Sequence, residues 1–426
     1  MNSYWLSENK AVGVGQPPRC AYIHIPFCRR RCYYCDFPVS VVGDRKHGDN
    51  SGTMQKYVDT LSREIEATST AGSPLQTVFF GGGTPSLLSL AQVTQLLDTL
   101  KASFGIEPDA EISMEMDPGT FDRQKLEGFR QAGINRISLG VQAFQDTLLQ
   151  VSGRSHSVAD IETAIHLIHQ AGVPNFSLDL ISGLPHQTLD HWQETLQKAI
   201  ASHPTHISVY DLIVEPKTPF ARYYQPDTSP LPPETTTVEM YRQTHTMLTA
   251  AGYQHYEISN YAQPGYQCFH NRTYWQNLPY YGFGMGATSY VNQRRLTRGR
   301  TLKEYKTWVQ NWETGNLELP PPDTKNDQLL ETIMLGLRLA EGISLTDIAQ
   351  RFGNHLPNTI CQSLQANGWE NWIEITTTDG RLLSLPSDPS QPLPSHASRL
   401  RLQNPEGFLV SNSILASLFE SLAAPA

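Results

Sequence analysis

Charge, cysteine and long apolar runs are all scarce in this chain of 426 residues, and each scarcity removes a class of function. Only 17% of the residues are charged, with a net charge of −9. A nucleic-acid partner is thereby disfavoured, because phosphate binding normally needs a basic surface. No apolar run approaches the length that spans a bilayer, and the first residues show no basic-then-apolar leader pattern. No basic amphipathic helix announces a membrane surface either. A cytoplasmic protein is expected, reaching a membrane peripherally and only through a partner. Six cysteines, three of them within eight residues, make a poor disulfide framework for a chain of this size. With 39% apolar residues, the chain can nevertheless bury a large core.

What the sequence does contain is an alternation. Strand-like apolar runs at 21–25, 77–80, 111–116, 136–139, 176–181 and 206–213 are separated by helical spacings. Met54, Val58, Leu61 and Ile65 show that spacing, as do Val93, Leu96, Leu97 and Leu100. Six such units demand a parallel sheet, hence an α/β fold, and suit a partial (β/α)6 barrel within residues 1–220. A doubly wound sheet would show the same alternation. Residues 221–240, rich in proline and threonine, read as the start of a linker region that runs to 326.

From 327 onward the pattern changes. Leu330, Ile333, Met334 and Leu337 line one helix face, Gly342 is placed to stop it, and Ser344 reads as the cap of a short helix ending near Gly353. Strand-like runs at 380–385 and 407–410 and a helix over 412–422 complete a smaller α+β, winged-helix-like domain. The stretch 386–398 reads as an exposed loop. With no basic cluster, this domain is expected to pack or cover rather than to bind DNA.

Chemistry concentrates in Cys28, Cys32 and Cys35, spaced x3 then x2. Three thiolates on one loop can hold three irons of a [4Fe-4S] cluster and leave the fourth open for chemistry. The plain alternative is structural zinc, with Cys20 or His24 as fourth ligand. Structural zinc prefers paired short spacings on two knuckles, and no second Cys/His pair lies nearby. Phe27, Tyr33, Tyr34 and Phe37 would shield a cluster from water. Gly81-Gly82-Gly83-Thr84-Pro85 directly follows an apolar run, where glycines let backbone approach a ligand closely. It lacks the Lys-Ser/Thr of a phosphate loop.

The triad in this aromatic setting resembles the radical SAM superfamily, and Tyr22-Ile-His-Ile-Pro-Phe-Cys28 is similar to its coproporphyrinogen oxidase-like branch. That resemblance implies a barrel with the cluster on the loop after its first strand and S-adenosylmethionine (SAM) on the open iron. It further implies that Gly82, Gly83 and Thr84 receive the methionine end of SAM. Glu115 and Asp179 would hold its ribose or amino groups, Arg154 would pair with its carboxylate, and Tyr22 and Gln142 would complete the set. Taken one at a time, each of these polar residues could equally be a cap or a structural ion-pair partner.

Within that branch, the anaerobic coproporphyrinogen III oxidases carry a further cysteine two positions after the triad and a long N-terminal arm. Here that position is Phe37, and 27 residues precede Cys28. Both departures make the chain similar to the haem chaperone family HemW instead. His270-Asn-Arg-Thr-Tyr-Trp275 resembles that family's haem-associated element, which implies His270 as a haem ligand. Cys268 and His255 are rival ligands, and His270 could simply brace a loop. The resemblance implies haem as cargo and haem-accepting apoproteins as partners, respiratory enzymes among them. An oxygen-independent coproporphyrinogen III oxidase, or another radical SAM enzyme acting on tetrapyrroles, is the alternative.

Overall fold

Strand order settles the choice between barrel and doubly wound sheet. The computed structural model describes residues 17–44, 47–68, 73–385 and 391–423. Strands β1 (Cys20–Ile25), β2 (Leu75–Gly82), β3 (Ile106–Met116), β4 (Arg136–Gln142), β5 (Phe176–Ser182) and β6 (His206–Asp211) lie side by side in chain order. Each is parallel to the next. Helices α1 (Gly52–Thr68), α2 (Leu90–Phe104), α3 (Arg123–Ala132), α4 (Val158–Gln170) and α5 (Leu189–Ala201) connect them. A doubly wound sheet reverses its order at a switch point. Without a reversal, right-handed crossovers place every helix on one side, and the sheet curls around its other face. The fold is the partial barrel.

The stretch expected to be a linker is a correction. α6 (Glu234–Ala250) lies against α5, where the Trp192 indole donates to Met240 O and Thr244 Oγ1, each at 3.0 Å. β7 (Gln254–Glu257) and β8 (Asn260–Ala262) then extend the sheet, β8 antiparallel to β6 and β7 antiparallel to β8, while β9 (Tyr281–Phe283) adds to its other edge, parallel to β1. The prolines misled the sequence reading because they mark only the turns around 226–233. The amphipathic helix that follows buries Met240, Tyr241, Thr244 and Leu248.

A second apolar core lies beyond 327. α8 (Lys325–Gly336), α9 (Leu345–Phe352), α10 (Leu356–Ala366) and α11 (Ser411–Ala423) surround a small antiparallel sheet. α7 is the short helix Phe269–Trp275, described with the site. The sheet runs in the order β10 (Ile343–Ser344), β13 (Arg399–Leu402), β11 (Ile373–Thr376), β12 (Leu382–Leu383). Ser344 caps α9 as expected, accepting from the Asp347 N–H at 3.1 Å. The predicted strand at 407–410 is helical instead, within Glu406–Leu409. The strand is Arg399–Leu402, whose Leu400 and Leu402 face the core while its arginines face outward, a period-two pattern four residues long. The N-terminal segment without a leader pattern and the first part of the 386–398 loop lie outside the described residues.

One buried cluster braces the start of the barrel. The Arg298 guanidinium and Glu64 carboxylate pair at 2.7 Å with both side chains buried, and the Tyr305 hydroxyl donates to the same carboxylate at 2.6 Å. Beside it the Tyr57 hydroxyl donates to His24 O at 2.7 Å, which fixes the end of β1 from the helix side.

A candidate cluster and cofactor site at the barrel mouth

The cysteine loop leaves β1 at the carboxyl end of the sheet, where barrel sites are built. Phe27–Cys28 pairs with Ser40–Val41, so the loop is clasped at its base. The Ser40 N–H donates to Pro26 O at 2.7 Å and the Val42 N–H to Cys28 O at 2.9 Å. Within it the Cys35 N–H donates to Cys32 O at 3.2 Å, a tight turn that holds those two thiols on one side. All three thiols are partly exposed. Among the described residues, no three His, Cys, Asp or Glu side chains converge as a single ion would need. A cluster asks for something different, each thiolate on its own iron, and a clasped loop of three cysteines fits that demand.

The glycine run is packed against this loop. A Cβ on Gly83 would stand 2.9 Å from Cys28 Sγ and 2.7 Å from Phe27 O. At Gly82 φ is +111°, and a Cβ would strike the His24 ring at 2.5 Å. Only glycine lets the end of β2 come so near the cysteines. The Gly82 N–H donates to Glu115 Oε2 at 2.9 Å, and the buried Thr84 hydroxyl donates to Asp117 Oδ2 at 3.2 Å. The glycine run is thus stitched to the end of β3.

Arg154 joins the cofactor side to the cysteines. Its guanidinium donates to Asp117 Oδ1 at 2.5 Å, to Gly140 O at 3.0 Å and to Cys32 Sγ at 3.3 Å. Its Nε is buried without a partner. The Gln142 backbone adopts φ +67° beside Gly140, and its side chain is buried next to Arg154. Asp179 accepts from the Ser138 hydroxyl at 2.8 and 2.9 Å and from Ser177 at 3.3 Å. Burial raises the Asp179 carboxyl above the usual range, opposed by these hydroxyls. Burial also pushes Glu115 up to about 8, and the nearby Asp179 and Asp117 carboxylates add to the shift.

A buried carboxyl facing other anions, one backbone donor and no cation is expensive to ionise. It suits a ligand that brings positive charge, as the ammonium and sulfonium of SAM would. The glycine cradle, the orphaned Arg154 Nε and the acidic wall therefore fit the methionine end of such a cofactor, beside a loop that fits a cluster.

The remaining expected residues fall in two places. Tyr22 lines the same interior, its hydroxyl 3.1 Å from His24 Nδ1. Phe37 lies at the end of the cysteine loop with its ring 62% exposed and its carbonyl accepting from Arg31 at 2.7 Å. His270 lies deeper, on α7, its ring centroid 6.4 Å from that of Tyr22. Its N–H donates to Glu111 Oε1 at 3.1 Å, its Nδ1 lies 2.7 Å from Thr77 Oγ1, and its Nε2 lies 2.8 Å from the Tyr274 hydroxyl. The ring stacks on Phe79 at 5.1 Å, and burial lowers its basicity to about 3.

With both ring nitrogens engaged and the ring sealed, His270 offers no lone pair to a haem iron in this conformation. The rivals fare no better, since Cys268 is buried and His255 is stacked on Tyr261 at 4.1 Å. In this conformation His270 braces the barrel floor. Sequence reasoning weighs His24 only as a zinc ligand and does not reach Tyr210. His24 bridges Tyr22 to Pro38 O, which it meets at 3.0 Å, and so ties the floor of the pocket to the cysteine loop. Tyr210 turns its ring to the open mouth while its hydroxyl reaches Ser208, near Asp179. Period-two alternation was the available signal, because His24 follows Tyr22, and Tyr210 follows Ser208, by two residues.

Comparison with known proteins agrees with this geometry. The model of the Radical SAM superfamily matches residues 22–199, and that of the HemN C-terminal domain matches 323–378. The chain is 45% identical to a protein named Heme chaperone HemW from Synechocystis, over 96% of this chain and 98% of that one. It is 38% identical to the Bacillus subtilis protein of the same name, over 79% and 88%. Among solved structures, the Escherichia coli coproporphyrinogen III oxidase HemN, described as a radical SAM enzyme, superposes with a TM-score of 0.76 at 23% identity. That match covers 95% of this chain and 90% of the other, and it shows the shared fold.

Proposed function

The chain belongs to the HemW family of radical SAM proteins, and from that premise we propose that it is a haem chaperone, binding haem and passing it to acceptor apoproteins. The carrying observation is the likeness to heme chaperones along almost the whole chain, at an identity far above that to the oxidase of the same fold. Phe37, where the oxidase branch carries a cysteine, supports the same choice. Cys28, Cys32 and Cys35 would hold a [4Fe-4S] cluster, and Gly82, Gly83, Thr84, Glu115, Gln142, Arg154 and Asp179 would receive SAM above Tyr22. When bound, the pair supplies one-electron chemistry at a water-poor site. The chain's own part is to clasp the cluster loop, to offer buried carboxyls to a cationic ligand, and to hold Arg154 between Cys32 and Asp117.

Among the described residues, no helix is long and apolar enough to cross a membrane. A cytoplasmic carrier meeting respiratory acceptors at a membrane surface is the working picture. The test uses anaerobically reconstituted protein. Stoichiometric haem uptake, transfer to an apoprotein acceptor, and no protoporphyrinogen from coproporphyrinogen and SAM are expected. Robust decarboxylation with SAM consumption would return the chain to the oxidase reading.

A further inference from the structure

Arg29, Arg30, Arg31 and Arg300 border the cysteine loop and give their donors to oxygen. Arg29 donates to Pro118 O at 3.2 Å and Gly119 O at 3.4 Å, Arg30 to Asp44 Oδ2 at 3.0 Å, Arg31 to Phe37 O at 2.7 Å and Arg300 to Asp36 O at 2.8 Å. Arg154 differs in two respects. Its side chain is only 8% exposed, and its Nη1 donates to Cys32 Sγ at 3.3 Å. Among the described residues it is the one cation hydrogen-bonded to a sulfur of the triad. The other two thiols meet neutral donors, Cys28 the Thr84 hydroxyl and Cys35 the Phe37 N–H.

The fold imposes this contact. Residues 152–154 lie against the cysteine loop, where the Tyr33 N–H donates to Ser152 O at 3.0 Å and a Cβ on Gly153 would stand 2.9 Å from the Tyr33 ring. The Arg154 N–H donates to Leu149 O at 2.9 Å, which holds its backbone in turn. On its other side Asp117 Oδ1 and Gly140 O take Nη2, and a Cβ on Gly140 would come within 3.2 Å of that nitrogen. Partners from three parts of the chain thus leave the guanidinium one position. A buried cation is weakly screened, so a sulfur within its reach feels much of its charge.

We propose that Arg154 is a positioning residue that sets the reduction potential of the cluster by donating to Cys32 Sγ. This rests on the cluster that the proposed function gives to Cys28, Cys32 and Cys35. One electron taken up by a cluster adds one negative charge, shared with its thiolate ligands. A hydrogen bond to a ligand sulfur, with a positive charge behind it, stabilises that reduced form and raises the potential. The donors at Cys28 and Cys35 supply the bond without the charge. Arg154 Nε, buried without a partner, remains for the carboxylate of the cofactor, so a single side chain serves both.

The test is the midpoint potential of the full chain holding its cluster, without SAM. A chemical reductant supplies the electron stepwise, and electron paramagnetic resonance reads the reduced fraction. Arg154→Gln should disfavour the reduced cluster about tenfold, which is about 59 mV for one electron. Arg29→Gln removes an equal charge beside Cys28 but no sulfur contact, and should shift the potential by less than half as much. A wild-type potential in Arg154→Gln overturns the proposal. An equal drop in Arg29→Gln also overturns it, because only the net charge of the loop would then matter. A second readout needs no variant. With isotope-labelled arginine nitrogen, the reduced wild-type cluster should show a hyperfine coupling to the label. Its absence overturns the proposal even if Arg154→Gln assembles no cluster. A wild-type chain that takes up no iron is a separate result, and it sinks the cluster reading itself.

Discussion

The two ends of the barrel interior are built from the same residue types and end in opposite conditions. At the floor, Glu111 accepts from the backbone N–H groups of Phe269 and His270 at 3.2 and 3.1 Å and from the Cys268 thiol at 3.6 Å. His270 is satisfied at both nitrogens. At the mouth, Glu115 has one backbone donor and faces two other carboxylates, and Arg154 keeps a buried nitrogen without a partner. A satisfied polar network rigidifies, while an unsatisfied one holds free energy that a complementary ligand can release. The difference teaches that polarity inside a barrel is not itself a sign of a site. The telling feature is charge left unbalanced. Arg136 beside the floor also keeps a buried Nε without a partner, but it faces Glu111, whereas Glu115 at the mouth faces only other carboxylates.

Substitutions can break this division, and the largest effect should come from the cysteines. Cys28→Ala, Cys32→Ala or Cys35→Ala is expected to abolish nearly all iron and sulfide uptake on reconstitution. The loop lies at the surface, so the thermal unfolding of the metal-free protein should hardly move. Glu111→Ala should do the reverse. It strands the first two N–H groups of α7 in a buried setting, which costs roughly 2–6 kcal/mol at about 1–3 kcal/mol per orphaned group. Urea unfolding should report that loss while iron content per folded chain stays at the wild-type level. A Glu111→Ala protein of normal stability that fails to take up a cluster would show that the floor is part of the site.

Much of this was legible in the sequence because it depends on local pattern. The cysteine spacing, the glycine run and the six apolar strands are each confined to a few neighbouring residues, and the structure brings Gly82, Thr84, Glu115 and Arg154 together with the triad. The misreadings have one cause, that burial and partners are set across the chain. Nothing near His270 in sequence reveals that Thr77, 193 positions earlier, will take its Nδ1. Similarly, Phe408 looks like part of a strand until it is seen as one turn of helix buried in the core with Leu400 and Leu402. The choice of barrel over doubly wound sheet was invisible for the same reason, since alternation records which elements exist and not the order in which they pair.

The mildest of these changes is at the mouth itself. Burial holds the Glu115 carboxyl at about 8, well above the ordinary carboxylate range near 4.3. As pH rises from the ordinary value to about 8, the unfolded chain ionises this group while the folded chain keeps its proton. The folded state then binds the extra proton, so stability falls across that window and levels above it. Glu115→Gln should flatten this part of the pH–stability curve and leave the protein no less stable at neutral pH. A cationic ligand reverses the demand, because it needs the carboxylate. SAM affinity of the wild type should therefore climb with pH to about 8 and then level, with a proton released on binding. A charge-assisted hydrogen bond contributes about 1.5–3 kcal/mol, one to two decades of affinity. Near neutral pH about one decade of that is already cancelled by protonation, so Glu115→Gln should weaken SAM binding there about tenfold or less. Calorimetry in two buffers of different ionisation enthalpy measures the proton release directly. A wild-type SAM affinity that is flat between pH 6 and pH 8 would mean that the ligand's charge never meets Glu115, and the unpaired acid at the mouth would then need another explanation.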